Sequence, residues 1–325
     1  MRQTSYAAAM VEALRTSLAT DPHVSLIGSY VLGLGPQRVL MDAIRAEFPD
    51  RLYDPPTSEA ALVSLGAGAA MAGARPFVDL GAGSFSYVGW SPLVNEAAVA
   101  RYMSNGQLRV PVVYHMLHGL RGGGAAQHSH SPQAMLWNAA GLEIVLPSSP
   151  YDVKGLLRSA IKSDNPTVFI NHARLMDIEG DVPEEDYAIP FGRADIKRPG
   201  RDVTIVATSF VVHAALSAAK QLADEGIEAE VVDPRTLVPF DHATLLDSVR
   251  RTGRLVVVDE TNLSCGVAAE VAAIVAEEGF AFLRAPIVRV TRPDVPTPFS
   301  KPLEDAITPT ADKVAAAVRR VFGQG

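Results

Sequence analysis

The sequence predicts an α/β protein with two domains, each built on a parallel or mixed β-sheet, and three observations support this fold class. Short apolar runs, such as residues 24–27 and 203–208, recur along the chain. Segments whose apolar residues repeat at helical spacing separate these runs. Such alternation is typical of parallel strands joined by helices that cover both faces of a sheet. The length of 325 residues exceeds one ordinary domain, so we expect two.

Local patterns place the elements of both domains. Residues 4–20 form the first predicted helix, because Tyr6, Met10 and Leu14 recur at helical spacing. Further helices are predicted at residues 39–48, 93–103, 151–163, 210–225, 241–252, 266–278 and 310–322. Strands are predicted at residues 24–27, 76–80, 110–117, 142–147, 168–171, 203–208, 229–233, 255–259 and 287–290.

A change in composition predicts the boundary between the domains. Residues 176–202 carry acidic clusters, Pro190 and a Pro-Gly pair, which favour an irregular segment. We assign residues 1–185 to the first domain, residues 186–202 to a linker and residues 203–325 to the second domain.

Composition excludes several classes of protein. The 29 basic and 36 acidic side chains give a net charge of −7, and no basic cluster indicates a nucleic-acid surface. The single cysteine, Cys265, excludes an internal disulfide framework and is typical of a reducing compartment. The N-terminus lacks a signal pattern, and no apolar run reaches membrane-spanning length. We expect a soluble, cytoplasmic protein.

The stretch around Glu59 is the first candidate site. Pro55 and Pro56 indicate a turn, after which Ser58 occupies a helix N-cap position. Glu59 then opens a helix and has two interpretations. An acidic residue at this place can simply complement the positive end of the helix dipole. Alternatively, its carboxyl lies in an apolar pocket and shares a proton with a bound heterocycle.

The helix that Glu59 opens contains Gly66, Gly68 and Gly73. Each glycine weakens a helix by about 1 kcal/mol relative to alanine, so another interaction has to compensate. Close backbone approach to a second helix would do so. We therefore expect tight helix–helix packing here and regard this helix as a candidate subunit interface.

The most unusual segment is residues 117–131, in which a glycine triplet precedes a polar, histidine-rich run. Such a segment does not suit a buried core, and its composition is typical of a loop that carries a functional site. Its His128 serves either as a site residue or as a loop residue that caps a turn. A metal-dependent hydrolase is a separate alternative, because closely spaced histidines can supply three metal ligands. The histidines concerned are His115, His118, His128 and His130.

Many short motifs, in order and at matching spacing, resemble the beta subunit of the thiamine-diphosphate-dependent component of 2-oxo acid dehydrogenases. The models are the pyruvate and branched-chain enzymes of the transketolase-like superfamily. The resemblance implies a pyrimidine-binding domain followed by a transketolase C-terminal-like domain. The matching motifs lie at residues 54–59, 70–76, 85–86, 102–104, 125–129, 152–156, 187–194, 202–205, 232–236, 289–291 and 294–296.

The resemblance implies roles for individual side chains. The carboxyl of Glu59 would bond the aminopyrimidine nitrogen of thiamine diphosphate, whose chemistry supplies the electron sink for decarboxylation. His128 matches the site histidine that handles protons or places the acceptor, which suits an imidazole at neutral pH. Phe85 would pack on the aminopyrimidine ring. Tyr30, which stands where the family usually carries acidic residues, is assigned to the cofactor pocket.

The resemblance also implies a partner. The Gly-Asp-Gly motif that binds the diphosphate and Mg²⁺ is absent from this chain, and in the family it lies on the alpha subunit. We therefore expect half a site here and activity only in an α₂β₂ heterotetramer. Some family members hold a structural potassium ion through backbone carbonyls. The matching positions are Val112, Ala160, Ile161, Ser163 and Asn165.

Departures from the family pattern concern the substrate. His115 and His118 replace an arginine and a small or polar residue, and Asn171 replaces a glutamate. We assign His115, His118 and Gln127 to the substrate pocket. The predicted function is decarboxylation of a 2-oxo acid and transfer of the acyl group to a lipoyl acceptor. The alternative is a split transketolase-like carboligase that transfers an acyl or ketol unit to another carbonyl.

A non-catalytic scaffold related to the beta subunit is the last alternative. The presence of both Glu59 and His128 argues against it.

Overall fold

The computed structural model describes residues 1–28 and 38–323, which divide into two compact units. The first unit consists of Met1–Gly119 with Gln127–Phe191, and the second of Leu120–Ala126 with Gly192–Gly325. The predicted cofactor residue Tyr30 lies outside the described residues. The predicted domain boundaries stay a prediction. Within the described residues, no helix combines the length and the apolar character that crossing a membrane requires.

The first 191 residues contain strands and helices in regular alternation, as the apolar periodicity predicts. The strands are β1 (Arg2–Ser5), β2 (Val24–Ile27), β3 (Leu52–Tyr53), β4 (Arg75–Ala82), β5 (Val113–His118), β6 (Glu143–Val145), β7 (Thr167–His172) and β8 (Glu179–Val182). The helices are α1 (Tyr6–Thr20), α2 (Arg38–Glu47), α3 (Glu59–Met71), α4 (Ala100–Met103), α5 (Ala125–His128), α6 (Gln133–Trp137) and α7 (Pro150–Lys162).

Six parallel strands of the first unit follow the order β6-β7-β5-β4-β2-β3. The middle strands are buried along their length, which explains their continuous apolar runs. The carboxyl ends of β4, β5 and β7 therefore meet at one edge of the sheet, where ligands bind in α/β proteins.

Two segments differ from the predicted elements. The predicted helix at 93–103 is a π-helical turn, Pro92–Ala97, followed by the short helix α4. The acidic run near residue 180 was expected to be irregular, but it forms β8, which pairs antiparallel with β1. Both strands are polar and partly exposed, so neither carries the apolar alternation that marks a strand in the sequence.

The second unit is built on a mixed sheet. Its described strands are β9 (Asp195–Arg198), β10 (Val203–Ala207), β11 (Ala229–Asp233), β12 (Thr236–Val238), β13 (Leu255–Asn262) and β14 (Val288–Arg292). The sheet order is β14-β13-β10-β11-β9, with only β9 antiparallel. Strand β9 lies inside the segment that the sequence predicted as a linker. The helices are α8 (Val211–Ala223), α9 (His242–Thr252), α10 (Val267–Glu278), α11 (Lys301–Ile307) and α12 (Ala311–Val321).

The core of the second unit is aliphatic. Side chains of β10, β11, β13 and β14 pack against helices α8 and α12, whose facing residues are mostly alanine and valine. Small residues let the helices lie close to the sheet. The predicted alternation of strands and helices is confirmed in this half of the chain.

The three glycines at positions 66, 68 and 73 have different surroundings. A Cβ at Gly66 would lie 2.6 Å from Val78 Cγ2 and 3.3 Å from Val112 Cγ2, so this glycine lets the helix approach β4 and β5. Gly73, with φ +101°, follows the helix in a conformation that favours glycine. Gly68 faces open space. The expected helix–helix contact at Gly66 is thus a helix–sheet contact.

Candidate active site

Glu59 is the first residue of α3, as the sequence predicts. Ser58 has the extended backbone of an N-cap, with φ −161°, although its side chain makes no capping hydrogen bond. The Glu59 carboxyl is partly exposed and has no hydrogen bond or ion pair among the described residues. A Cβ at Gly89 would lie 3.2 Å from the Glu59 carbonyl oxygen, so the chain after β4 packs against this first turn. Glu59 therefore offers a carboxylate that no group among residues 1–28 and 38–323 occupies.

Phe85 and His128, both predicted site residues, contact each other. Their ring centroids are 5.5 Å apart and the ring planes make an angle of 77°, an edge-to-face arrangement. Phe85 lies in the 3-10 turn Gly83–Tyr87, and His128 ends α5 and is exposed. The hydroxyl of Ser84 donates to the carbonyl of Gln127, which ties the turn to the helix. The side chain of His128 is left accessible.

His115 is the centre of a buried polar network in the first unit. Its Nδ1 lies 3.2 Å from Asp79 Oδ1, and its Nε2 lies 2.9 Å from Asn171 Nδ2. Because an amide NH₂ only donates, Nε2 accepts, and the ring proton is on Nδ1 facing Asp79. The Tyr6 hydroxyl donates to Asn171 Oδ1. His115 is fully buried, so its place in the substrate pocket stays a prediction.

His118 and His172 form a second buried pair. They are direct neighbours across β5 and β7, and their rings meet edge to face at 5.0 Å and 86°. His118 Nδ1 lies 3.2 Å from Ser131 Oγ, and His172 Nδ1 accepts from the backbone N–H of Arg174 at 3.1 Å. This pair lies at the carboxyl edge of the sheet, which is the expected position for a substrate pocket.

The histidine–metal alternative finds no support in the structure. Among residues 1–28 and 38–323, no group of three or more His, Cys, Asp or Glu side chains is placed to hold a metal ion. His130 lies edge to face with Tyr87 at 5.4 Å, while His128 contacts Phe85. The remaining two histidines are buried with partners of their own. The four rings therefore do not converge.

Comparison with known proteins covers the whole chain. The family description "Transketolase, pyrimidine binding domain" matches residues 2–177, and "Transketolase, C-terminal domain" matches residues 192–314. A protein of Cupriavidus necator named acetoin:2,6-dichlorophenolindophenol oxidoreductase subunit beta is 43% identical over 100% of this chain and 99% of its own length. The 2-oxoisovalerate dehydrogenase subunit beta of Bacillus subtilis is 36% identical over 99% of both chains.

The chain belongs to the family of beta subunits of thiamine-diphosphate-dependent 2-oxo acid dehydrogenases. Relatives named as dehydrogenase and oxidoreductase subunits favour this function over the carboligase alternative. A solved structure titled "Split gene transketolase, inactive beta4 tetramer" has a TM-score of 0.80, 25% identity and 97% coverage of both chains. The predicted fold class is confirmed.

Two of the residues that the beta-subunit resemblance marks as departures are direct partners. His115 and Asn171 are 56 positions apart in sequence and bond each other at 2.9 Å. An imidazole and an amide thus form a buried, hydrogen-bonded pair. Apart from the neighbouring Asp79, such a pair can be buried without a charged group, which avoids the large desolvation cost of burying one.

The carbonyls that the beta-subunit resemblance assigns to potassium already have donors. Arg75 Nη1 donates to the carbonyls of Ile161 and Ser163 at 3.1 and 2.9 Å. The carbonyl of Val112 accepts from a backbone N–H at 2.9 Å, and that of Ala160 accepts from one at 3.2 Å. The side chain of Asn165 bonds Glu143 and Arg101. The potassium site stays a prediction.

Sequence reasoning missed several members of these networks. Asp79 lies within an apolar strand, and Tyr6 lies on the apolar face of α1, so both are typical of core positions in the sequence. Their contacts with the buried partners His115 and Asn171 place them in the polar network. For His172, the only indication in the sequence is its position directly after the predicted strand 168–171.

Proposed function

We propose that this chain is the beta subunit of a thiamine-diphosphate-dependent enzyme that decarboxylates a 2-oxo acid and passes the acyl group to a lipoyl acceptor. The observation that carries the proposal is the full-length relationship to a 2-oxoisovalerate dehydrogenase subunit beta, which is 36% identical over 99% of the chain. We further propose that the enzyme is an α₂β₂ heterotetramer located in the cytoplasm.

The side chains of the first unit fit a heterocyclic cofactor. Glu59 presents a carboxylate that has no partner within the described part of the chain, and an aminopyrimidine nitrogen is a suitable hydrogen-bond partner for it. Phe85 presents an aromatic ring, and its edge-to-face contact with His128 fixes both rings. When bound, thiamine diphosphate supplies the electron sink for decarboxylation.

Each of these residues has a separate task. Glu59 holds or gives up one proton at the pyrimidine nitrogen, and its place at the start of a packed helix fixes its position. His128, at the end of α5, moves a proton at the reacting carbonyl or places the acceptor. Tyr30, Gln127 and His118 are proposed to complete the cofactor and substrate pockets.

The partner follows from what the sequence lacks. No Gly-Asp-Gly motif occurs in the chain, so we propose that an alpha subunit supplies the groups for the diphosphate and Mg²⁺. This chain then contributes the pyrimidine side of the cofactor site. The proposed potassium site would lie at the carbonyls around Arg75.

Acetoin is a second candidate substrate. The relative that is 43% identical over both full lengths is named as an acetoin oxidoreductase subunit, whereas the 2-oxoisovalerate relative is 36% identical. Acetoin is a neutral hydroxyketone, so a pocket for it needs no group that binds a carboxylate.

The test is co-expression of this chain with neighbouring genes, followed by thiamine-diphosphate titration of the chain alone and of any complex. We expect cofactor binding only with a partner that carries Gly-Asp-Gly. Reduction of 2,6-dichlorophenolindophenol by the complex with pyruvate, branched-chain 2-oxo acids or acetoin then identifies the substrate. A chain that binds no thiamine diphosphate in any complex would refute the proposal.

A further inference from the structure

Strand β4 contains one residue more than its neighbour β5 in the stretch before the candidate site. Asp79 lies opposite His115 in β5. Ala82 comes three positions later but lies opposite Leu117, which is only two positions after His115. This irregularity is a β-bulge, and because side chains alternate between the two faces of a strand, one extra residue turns every later side chain to the opposite face. The bulge therefore determines the direction in which the chain leaves β4.

The carboxyl group of Asp79 stabilises this bulge. Gly81 lies inside the bulge, is buried and has φ +76°, a backbone conformation that favours glycine. Its N–H donates to Asp79 Oδ1 at 3.1 Å. A buried N–H needs an acceptor, and a bulge interrupts the ladder that would otherwise supply one. Asp79 thus supplies this acceptor from within the same strand.

Asp79 is itself held in place by the buried network. His115 Nδ1 lies 3.2 Å from the same Oδ1 atom and carries the ring proton, because Nε2 accepts from Asn171. Asp79 is 4% exposed and His115 is fully buried. Two donors therefore converge on one buried oxygen atom, so the carboxyl group has little freedom to move.

The turn that follows the bulge carries a predicted site residue. The 3-10 turn Gly83–Tyr87 begins directly after β4 and contains Phe85. The ring of Phe85 contacts the ring of His128 edge to face, with 5.5 Å between the centroids. Phe85 follows the bulge closely in sequence, so the direction that the bulge gives to the chain also decides where the Phe85 ring lies.

This turn has little room to adjust independently of the bulge. A Cβ at Gly83 would lie 2.9 Å from Pro132 Cδ, so the backbone here packs against the segment that follows His128. The Ser84 hydroxyl donates to the carbonyl of Gln127, the residue before His128. All these residues belong to the first unit. A change in the bulge therefore alters how the turn meets the segment around His128.

We propose that Asp79 is a positioning residue, which holds the Phe85 and His128 rings in their edge-to-face arrangement by stabilising the bulge at Gly81. The proposal rests on the proposed function, in which Phe85 packs on the pyrimidine ring of the cofactor and His128 serves the reacting carbonyl. Asp79 acts through the backbone of Gly81 and the turn that follows.

The first experiment observes the two rings in the full-length chain without cofactor. Histidine is labelled with ¹³C, and the His128 Cε1–H signal, identified by its loss in His128→Gln, is recorded by NMR. This signal contains a ring-current contribution from Phe85, and a Phe85→Leu variant gives the position of the signal without it. The variants compared are Asp79→Ala, Asp79→Asn, Gly81→Ala and Asn171→Leu.

Each variant changes one feature. Asp79→Ala removes the acceptor of the Gly81 N–H, whereas Asp79→Asn keeps an oxygen atom in that place. Gly81→Ala strains the bulge and leaves Asp79 intact, because an L side chain is unfavourable at φ +76°. Asn171→Leu is the matched control, since it breaks the network at His115 Nε2 and leaves the bond between Asp79 and Gly81 in place. Circular dichroism and urea unfolding establish that each variant is folded and rank their stabilities.

We expect the His128 signal of Asp79→Ala and of Gly81→Ala to move more than halfway toward its position in Phe85→Leu. Asp79→Asn and Asn171→Leu should keep the wild-type signal, although Asn171→Leu is less stable than wild type. A purely structural role of Asp79 predicts instead that the signal follows the loss of stability, in Asn171→Leu as in Asp79→Ala. That result, or an unchanged signal in both Asp79→Ala and Gly81→Ala, would overturn the proposal. If Asp79→Ala does not fold, the Gly81→Ala signal decides the outcome by itself.

The second experiment measures cofactor binding by the assembled complex. Asp79→Ala should raise the Kd for thiamine diphosphate about 2- to 10-fold, the factor that corresponds to the loss of one aromatic contact, while Asn171→Leu should bind as wild type does. An unchanged Kd in Asp79→Ala would overturn the proposal. Absence of thiamine-diphosphate binding by the wild-type complex would refute the proposed function, whereas the NMR experiment needs no cofactor. The two failures can therefore be told apart.

Discussion

Replacement of Asn171 by leucine tests the buried network around His115. Asn171 accepts from the Tyr6 hydroxyl and donates to His115 Nε2 at 2.9 Å, and all three side chains are fully buried. Leucine has a similar volume but offers neither a donor nor an acceptor. The substitution therefore removes the hydrogen bonds to Tyr6 and His115, and a weak one to the Met10 sulfur at 3.2 Å, without opening a large cavity.

The magnitude follows from what each partner loses. His115 Nε2 has no other partner among the described residues, and a buried polar atom left unpaired destabilises by about 1–3 kcal/mol. Tyr6 loses its nearer acceptor but keeps a contact of 3.5 Å to the carbonyl of Pro147, so its loss is about 1 kcal/mol. We expect the free energy of unfolding to fall by about 2–4 kcal/mol.

The assay is urea unfolding followed by tryptophan fluorescence. The chain has two tryptophans, Trp90 and Trp137, and both belong to the first unit, which contains the network. The signal therefore reports this unit alone. An Asn95→Leu variant is the matched control, because Asn95 is exposed, and it should stay within about 0.5 kcal/mol of wild type.

Tyr6→Phe combined with Asn171→Leu completes the cycle. The double variant removes donor and acceptor together, so it should be less destabilised than the sum of the single variants. An Asn171→Leu loss below about 0.5 kcal/mol, or strict additivity in the cycle, would refute the network as a source of stability.

Three further predictions follow from the site, the helix and an ion pair. Glu59→Gln should keep the size of the assembled complex, measured by size-exclusion chromatography, while thiamine-diphosphate-dependent turnover falls about 10²- to 10⁴-fold, because the amide cannot exchange the proton. Gly66→Ala should destabilise the first unit by about 1–3 kcal/mol, since its Cβ would lie 2.6 Å from a valine methyl. Gly68→Ala, whose Cβ would face open space, should be neutral or stabilising in the same urea unfolding experiment. The Arg158 hydrogen bond lowers the pKa of Asp186 below its ordinary value of 3.8. The bond therefore stabilises the fold at pH values above the ordinary pKa, and this stabilisation is lost as the pH falls through the pKa of Asp186 in the folded protein. In the Asp186→Asn variant, the free energy of unfolding should therefore depend less on pH under acidic conditions.

Each of these predictions has a result that contradicts it. Near-normal turnover of Glu59→Gln would remove this residue from the mechanism. Equal stability of the Gly66→Ala and Gly68→Ala variants would show that the helix–sheet approach is not tight. An Asp186→Asn variant with an unchanged acid limb would mean that the Arg158 pair does not contribute to the pH dependence.

Local sequence determined the start of α3 and most of the regular elements. Pro55, Ser58 and Glu59 act within a few residues of one another, so their turn and helix signals are complete in the sequence. The strands 24–27 and 229–233 were predicted with their observed bounds, because buried parallel strands are rich in apolar residues. The family motifs likewise consist of short contiguous stretches.

Tertiary structure decided what the polar residues do. His115 and Asn171 are 56 positions apart, and Arg2–Ser5 pairs with Glu179–Val182 from the far end of the first unit. No local periodicity records such pairings, because they depend on strand order and register.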